Sequence, residues 1–167
     1  MTTESISPLK RLTVPAYAVA LVFLISPAAD VVANAWPIEP GNIQWRFGAA
    51  GIASNYLLSV VMGLAIGVAA AVASGGRVML RVFTVLSLLV GVTSALVALA
   101  FPFDVLQLRG NVREDALGMF AIGSMKAELK ILVTAVALIL LGVAGFKTAR
   151  AQAPRATKAP PMLVREG

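Results

Sequence analysis

The sequence predicts an all-α membrane protein, a bundle of four transmembrane helices with both termini in the cytoplasm. Of its 167 residues, 59% are hydrophobic and only 13% are charged, which is about half the charged fraction of a soluble domain. The apolar residues also form long continuous blocks instead of periodic stripes. Four of these blocks are long enough to cross about 30 Å of hydrocarbon.

The blocks divide the chain into spans and connections. The predicted spans are residues 12–32, 56–73, 82–101 and 129–146. The remaining segments are a cytoplasmic N-terminus (1–11), an external loop with the start of helix two (33–55), a cytoplasmic hairpin (74–81), an external loop with a helical segment (102–128) and a basic, disordered cytoplasmic tail (147–167). Asn42 is expected to cap the restart of helix two, and Pro102 is expected to end helix three.

The distribution of charge predicts the orientation. With the N-terminus inside, most lysines and arginines fall in cytoplasmic segments, among them Arg77, Arg81 and Lys147. Most acidic residues then fall in the external segments. An excess of Lys and Arg in short cytoplasmic loops is the pattern that sets orientation in membranes, so both termini are expected inside.

A cleaved signal peptide is an alternative interpretation of the first span. Lys10-Arg11, a short apolar run, Pro27 and then 33–35 (Ala-Asn-Ala) resemble a signal sequence with a small-residue cleavage site. The apolar run reaches Val32, which is long for a signal core, so a first transmembrane helix is the preferred interpretation. Cleavage would leave three spans in the same orientation.

The composition argues against catalysis. The chain has no cysteine and no histidine, so thiolate chemistry, zinc-thiolate sites and the commonest proton shuttle are excluded. No ionisable residue lies in the middle of a predicted span, although proton relays and most coupled transporters need one. We therefore expect no cofactor, no metal and no enzymatic activity. Nucleic-acid binding is not expected either, because the basic tail lacks stacking aromatic residues.

The outer carboxylates and arginines are the only cluster of reactive groups in the sequence. No metal-ligand spacing, phosphate-binding loop or nucleophile motif accompanies them. They are expected to form ion pairs that fix the external loops, with Asp30 bound to Arg46 or Asp104 bound to Arg109.

Small residues recur every four positions along helix two. They are Ser59, Gly63, Gly67, Ala71 and Gly75, and Gly91 belongs to a similar face on helix three. Small residues on one helix face let helix backbones approach closely in lipid. Packing within this bundle is the preferred interpretation, and a docking face for another protein is the alternative.

Two tryptophans flank the first external loop. Trp36 and Trp45 are expected to anchor it at the headgroup layer, because the indole ring has an apolar body and a polar N–H group. Together with Arg46, Asp104 and Arg109 they form the predicted loop anchors. A shaped external platform that recognises a partner is the alternative interpretation.

Two short motifs carry a resemblance to a known kind of protein. They are Trp45-Arg46-Phe47-Gly48 and the segment 104–109 (Asp-Val-Leu-Gln-Leu-Arg). With the four-span layout, they resemble small bacterial membrane proteins that have a Trp-Arg-aromatic-Gly element at the start of span two and no established activity. The resemblance implies a bacterial, multi-pass plasma-membrane protein.

The function expected from these features is that of a non-catalytic accessory or assembly subunit. Its partners would be membrane lipids and other subunits of a larger membrane protein complex, and the small-residue faces would also permit a homo-oligomer. A small transporter or lipid-binding carrier that works as an oligomer is the alternative.

Overall fold

The computed structural model describes residues 12–152, and almost all of them are helical. The helices are α1 (Thr13–Ala35), α2 (Ile43–Ser74), α3 (Arg77–Arg109) and α4 (Leu117–Ala151), with a short 3-10 turn at Glu114–Ala116. All four long helices are apolar and long enough to cross a membrane. The prediction of an all-α membrane protein with four transmembrane helices is confirmed, and the chain is a multi-pass membrane protein.

Local chemistry determines both ends of α2. The Asn42 side chain accepts hydrogen bonds from the backbone N–H groups of Gln44 (2.9 Å) and Trp45 (3.3 Å), so it is the N-cap that the sequence predicted. At the other end Gly75 has a φ of 68°, a left-handed conformation that glycine adopts without steric cost. The turn Gly75–Gly76 then reverses the chain, and α3 runs antiparallel to α2.

The prediction that Pro102 ends helix three is wrong, because α3 continues through it to Arg109. Proline removes one backbone hydrogen bond, but neighbouring helices hold such helices together in membrane proteins. Here Phe101, Asp104 and Leu108 are all buried on the side that faces the bundle. The connections are correspondingly shorter than predicted.

The prediction that the disordered tail begins at residue 147 is wrong for its first five residues. Residues 147–151 are the last turn of α4, because the helical backbone continues past the apolar block that marked the span. The predicted N-terminus at 1–11 and the rest of the predicted tail, 153–167, lie outside the described residues.

The helices alternate in direction, so the bundle has two distinct ends. The hairpin end contains Gly75–Gly76 with the start of α1 and the end of α4, and the loop end contains residues 36–42 and 110–116. α2 packs against all three other helices, α3 and α4 form the most extensive pair, and α1 packs along α2. α1 is consequently the least buried of the four helices.

An aromatic contact joins three helices at the hairpin end. The rings of Tyr17 in α1 and Phe83 in α3 are stacked with their centroids 5.8 Å apart. The Tyr17 hydroxyl lies 3.4 Å from the hydroxyl of Ser74 at the end of α2. Leu64 and Leu80 are buried in the same apolar core.

Glycines permit the close contact between α3 and α4. A Cβ atom at Gly91 would lie 3.0 Å from the backbone nitrogen of Ile139, and one at Gly142 would collide with Leu88. Gly145 approaches Thr84 just as closely. Helices in lipid associate mainly through such van der Waals contact, so these positions determine how near the two helices can lie.

We expect Gly91→Leu to destabilise the protein by about 1–3 kcal/mol or more, because an added side chain must push the α4 backbone away. The measurement is the unfolding midpoint in detergent micelles. The control is Gly118→Leu at an exposed glycine of α4 that has no atom within 4 Å of the added Cβ, and this variant should be at least as stable as the wild type. Equal losses in both variants would contradict the packing described for Gly91.

Candidate functional site

An ion pair ties α2 to α3 at the loop end. Arg46 donates hydrogen bonds from Nη2 to Asp104 Oδ1 (2.6 Å) and from Nε to Asp104 Oδ2 (3.1 Å), and from Nη1 to the Pro40 carbonyl (3.2 Å). The Asp104 side chain is only 10% exposed and that of Arg46 is 40% exposed. This bidentate geometry is the strongest form of an arginine–carboxylate contact.

The predicted pairings of Asp30 with Arg46 and of Asp104 with Arg109 are both wrong. The described residues contain two ion pairs, Arg46–Asp104 and an exposed one between Arg113 and Asp115. The hairpin explains the difference, because Arg46 and Asp104 lie the same number of residues before and after Gly75. Antiparallel helices with equal rise bring such positions to the same level.

The two tryptophans have different environments. Trp45 donates a hydrogen bond from Nε1 to the Ala35 carbonyl (2.7 Å), which closes the 36–42 connection onto the end of α1. Trp36, preceding a cis peptide bond to Pro37, is 71% exposed. Trp45 therefore stabilises the loop from within, whereas Trp36 is free to lie among lipid headgroups.

A stack of three phenylalanines was not predicted from the sequence. Phe47 of α2 lies between Phe101 of α3 and Phe120 of α4, with ring centroids 5.3 and 5.2 Å away. Aromatic pairs at this spacing stabilise packing beyond their buried area. The Phe101 and Phe120 rings also line a groove between α3 and α4.

The small residues of α2 pack within the chain. A Cβ at Gly63 would lie 3.0 Å from the Ala20 carbonyl oxygen of α1, and one at Gly67 would collide with the Phe83 ring of α3. Ala71 is fully buried in the same core, and Ser59 is half-buried facing α1. Gly75 is the C-cap of α2 and lies outside its helical face.

The groove between α3 and α4 at the loop end has a volume of about 440 Å³. Arg109 lies at its outer end and Glu128 at its inner end, and its remaining walls are mostly apolar. One carboxylate oxygen of Glu128, Oε2, is buried without a hydrogen-bond partner among the described residues. The residues around Glu128 in the sequence give no signal of this burial.

A second groove, which we call the α1–α3 groove, lies over α2 on the other side of α3. Its volume is about 430 Å³. The Arg46–Asp104 pair borders its outer end, and alanines of α2 lie along it. Within residues 12–152, no group of three or more acidic side chains is placed to hold a metal ion.

Charged residues bracket one membrane-sized layer. The uncharged part of α3 between Arg81 and Asp104 is about 35 Å long, and that of α4 between Lys130 and Lys147 is about 26 Å long, at 1.5 Å per residue. Lys130 donates a hydrogen bond to the Asn55 side chain (3.1 Å). These two lengths average about 30 Å, which is the thickness of a hydrocarbon layer.

Exposed apolar side chains continue beyond that layer at the loop end. Met119 lies about 16 Å further along α4 than Lys130. We call this surface the outer apolar patch, and its members with their exposed fractions are Leu106 (65%), Met119 (75%), Ile122 (65%) and Met125 (70%). The three α4 residues recur every third position, so they are neighbours on one face of the helix.

The sequence matches no model of a known protein family, no curated protein and no solved structure. The geometry of the loop end is therefore the basis for a functional proposal. That end combines an ion pair, an aromatic stack, two grooves and an exposed apolar surface.

We expect Arg46→Gln to lower the unfolding midpoint, because it leaves the buried Asp104 carboxylate without its cation. The double variant with Arg46→Gln and Asp104→Asn should be more stable than this single variant, since the neutral pair retains no uncompensated charge. Thermal unfolding in detergent measures both. Arg113→Gln, at the exposed pair, is the control and should change little. Additive effects of the two substitutions would contradict the pairing.

Proposed function

We propose that this multi-pass membrane protein is a non-catalytic accessory or assembly subunit that packs against a larger membrane protein complex. The observation that supports this most strongly is the outer apolar patch, which lies beyond the charged residues that bound the membrane layer. The proposal includes a bacterial plasma membrane and both termini in the cytoplasm. The loop end then faces the outside, as the excess of Lys and Arg at the hairpin end favours.

Part of the outer apolar patch lies too far from the hydrocarbon for lipid to cover it. Headgroups extend a bilayer by about 5–8 Å on each side of the hydrocarbon. Met119 and Ile122 lie about 42 and 38 Å from Lys147 along α4. A hydrocarbon layer of about 30 Å that starts at Lys147 therefore leaves Met119 past the headgroups and Ile122 at their outer edge, in a helix that stands near the membrane normal. Burial of a large apolar side chain is more favourable than its exposure to water by about 1.5–3 kcal/mol.

The small-residue faces are not available to a partner, which leaves the outer apolar patch as the candidate interface. Gly63, Gly67 and Gly91 contact α1, α3 and α4 respectively, so the small-residue faces are occupied within the chain. Contiguous exposed apolar surfaces that water would otherwise cover mark sites of protein association. Methionines, such as Met119 and Met125, adapt well to a partner's surface because their side chains are flexible.

The alternative function is a small transporter or lipid-binding carrier that acts as an oligomer. It differs from the accessory subunit in what accompanies the protein on extraction. A subunit occurs in a stoichiometric assembly with other proteins, whereas a carrier of this kind occurs with copies of itself.

We expect the protein, extracted from its own membrane in a mild detergent, to migrate in a stoichiometric assembly much larger than its 17.3 kDa chain. A variant with Leu106→Gln and Ile122→Gln should leave that assembly, because the amides keep the patch solvated and deprive the interface of apolar contact. Native gel electrophoresis and the protein ratio in the purified band measure this.

The matched control is the double variant with Leu106→Met and Ile122→Leu, which keeps the apolar character and should remain assembled. Both double variants should insert and unfold like the wild type, because the two altered positions, Leu106 and Ile122, are exposed. A wild-type protein that migrates alone or only with copies of itself would contradict the subunit proposal. So would an assembly that the glutamine variant leaves unchanged.

A further inference from the structure

The α1–α3 groove is a gap between α1 and α3 that lies over α2 at the loop end. Its sides are residues of α1 and α3, and Ala49, Ala50 and Ala53 of α2 lie between them. The alanine side chains are too short to fill the space between the two helices. Within the membrane such a space is filled by a lipid chain or by another helix.

The position of the groove suits an amphiphile. Along α3 its inner end at Val97 lies about 24 Å from Arg81, and its outer end at Asp104 lies about 35 Å from it. The edge of a 30 Å hydrocarbon layer falls between these two levels. The apolar part of the groove is therefore at acyl-chain depth, and the Arg46–Asp104 pair is at headgroup depth.

The length of the groove distinguishes the two occupants. The groove extends for roughly 10 Å along α2, from Ala53 to Arg46. The acyl chains of a lipid are confined to one half of a hydrocarbon layer of about 30 Å, whereas a transmembrane helix crosses all of it. A groove that is limited to the outer part of the layer therefore matches a lipid better than a partner helix.

The outer end of the groove can bind a phosphate. Arginine has five N–H donors, and the bonds of Arg46 to Asp104 and Pro40 use three of them. The Arg46 side chain is 40% exposed, and two of its N–H donors are left for an anionic oxygen. The Arg46–Asp104 pair is neutral as a whole, which favours recognition of the phosphate itself over recognition of the net charge of a lipid.

We propose that the α1–α3 groove is a phospholipid site, with an acyl chain along Ala50 and Ala53 and the lipid phosphate on Arg46. The site does not rest on the proposed subunit function, since it shares no residue with the outer apolar patch. One bound phospholipid would close the gap between α1 and α3. Phosphatidylglycerol and phosphatidylethanolamine would bind alike, and diacylglycerol, which lacks the phosphate, would bind more weakly.

Native mass spectrometry of the purified full-length protein tests the site with these three lipids, each carrying two oleoyl chains. We expect one retained phospholipid per chain and little retained diacylglycerol. Ala50→Leu fills part of the groove without touching the ion pair. The added side chain displaces about two methylene groups of the lipid, which should lower the affinity for the phospholipid about tenfold. Ala69→Leu, at an exposed alanine of α2 that lines neither groove, should retain the lipid.

The role of Arg46 has a separate test. The variant with Arg46→Gln and Asp104→Asn removes the guanidinium without leaving a buried charge, and it should bind phospholipid and diacylglycerol equally. Inorganic phosphate alone should not displace the lipid, because most of the binding comes from burial of the acyl chain. Unchanged preference for phospholipid in this variant would overturn the assignment of the phosphate to Arg46.

A crosslinking measurement needs no variant. A phosphatidylcholine with a photoactivatable group on one chain, in vesicles of dioleoyl phosphatidylglycerol, should crosslink preferentially to residues 49–53 and 97–101 of the wild-type protein. Crosslinks spread evenly over the exposed faces of α3 and α4 would overturn the site. So would equal lipid retention in Ala50→Leu and the wild type, or a protein segment in place of the lipid at these residues.

Discussion

Close approach of helix backbones at glycine is the contact on which the rest of this structure depends. Lipid is as apolar as the helix surfaces, so burial of apolar side chains gives little drive for one helix to bind another. Association depends instead on van der Waals contact over short distances. Gly67 against Phe83 and Gly91 against α4 provide it, and both contacts lie within the membrane layer.

The same packing explains why the loop end is open. α2, α3 and α4 are joined closely through glycines from the hairpin end towards the middle, while α1 contacts mainly α2. Towards the loop end the helices are joined through larger groups, namely the Phe47 stack and the Arg46–Asp104 pair. Grooves form on both sides of α3 there. The surfaces that can bind a lipid or a protein thus lie where glycine contacts do not hold the helices together.

Much of the fold could be predicted from the sequence, because span length and uncharged composition determine it directly. Asn42 as a cap is a local effect and was also predictable. The partner of Arg46 was not, since it depends on the register between α2 and α3, although the positions of Arg46 and Asp104 relative to Gly75 contain that information. Pro102 was misjudged because the strength of tertiary contacts around a proline has no local signal. The groove at Glu128 depends on the packing of α3 against α4, which single residues do not indicate.

The depth of the loop end is the central claim, and cysteine labelling tests it most directly because the chain has no native cysteine. Leu89 and Gln107 are both exposed, and neither belongs to the outer apolar patch. Leu89 lies about 12 Å from Arg81 along α3, and Gln107 lies about 39 Å from it. In intact cells a membrane-impermeant maleimide should label Gln107→Cys and should leave Leu89→Cys unlabelled. Equal labelling of the two, or labelling of Gln107→Cys only after the cells are opened, would contradict an external, water-exposed loop end.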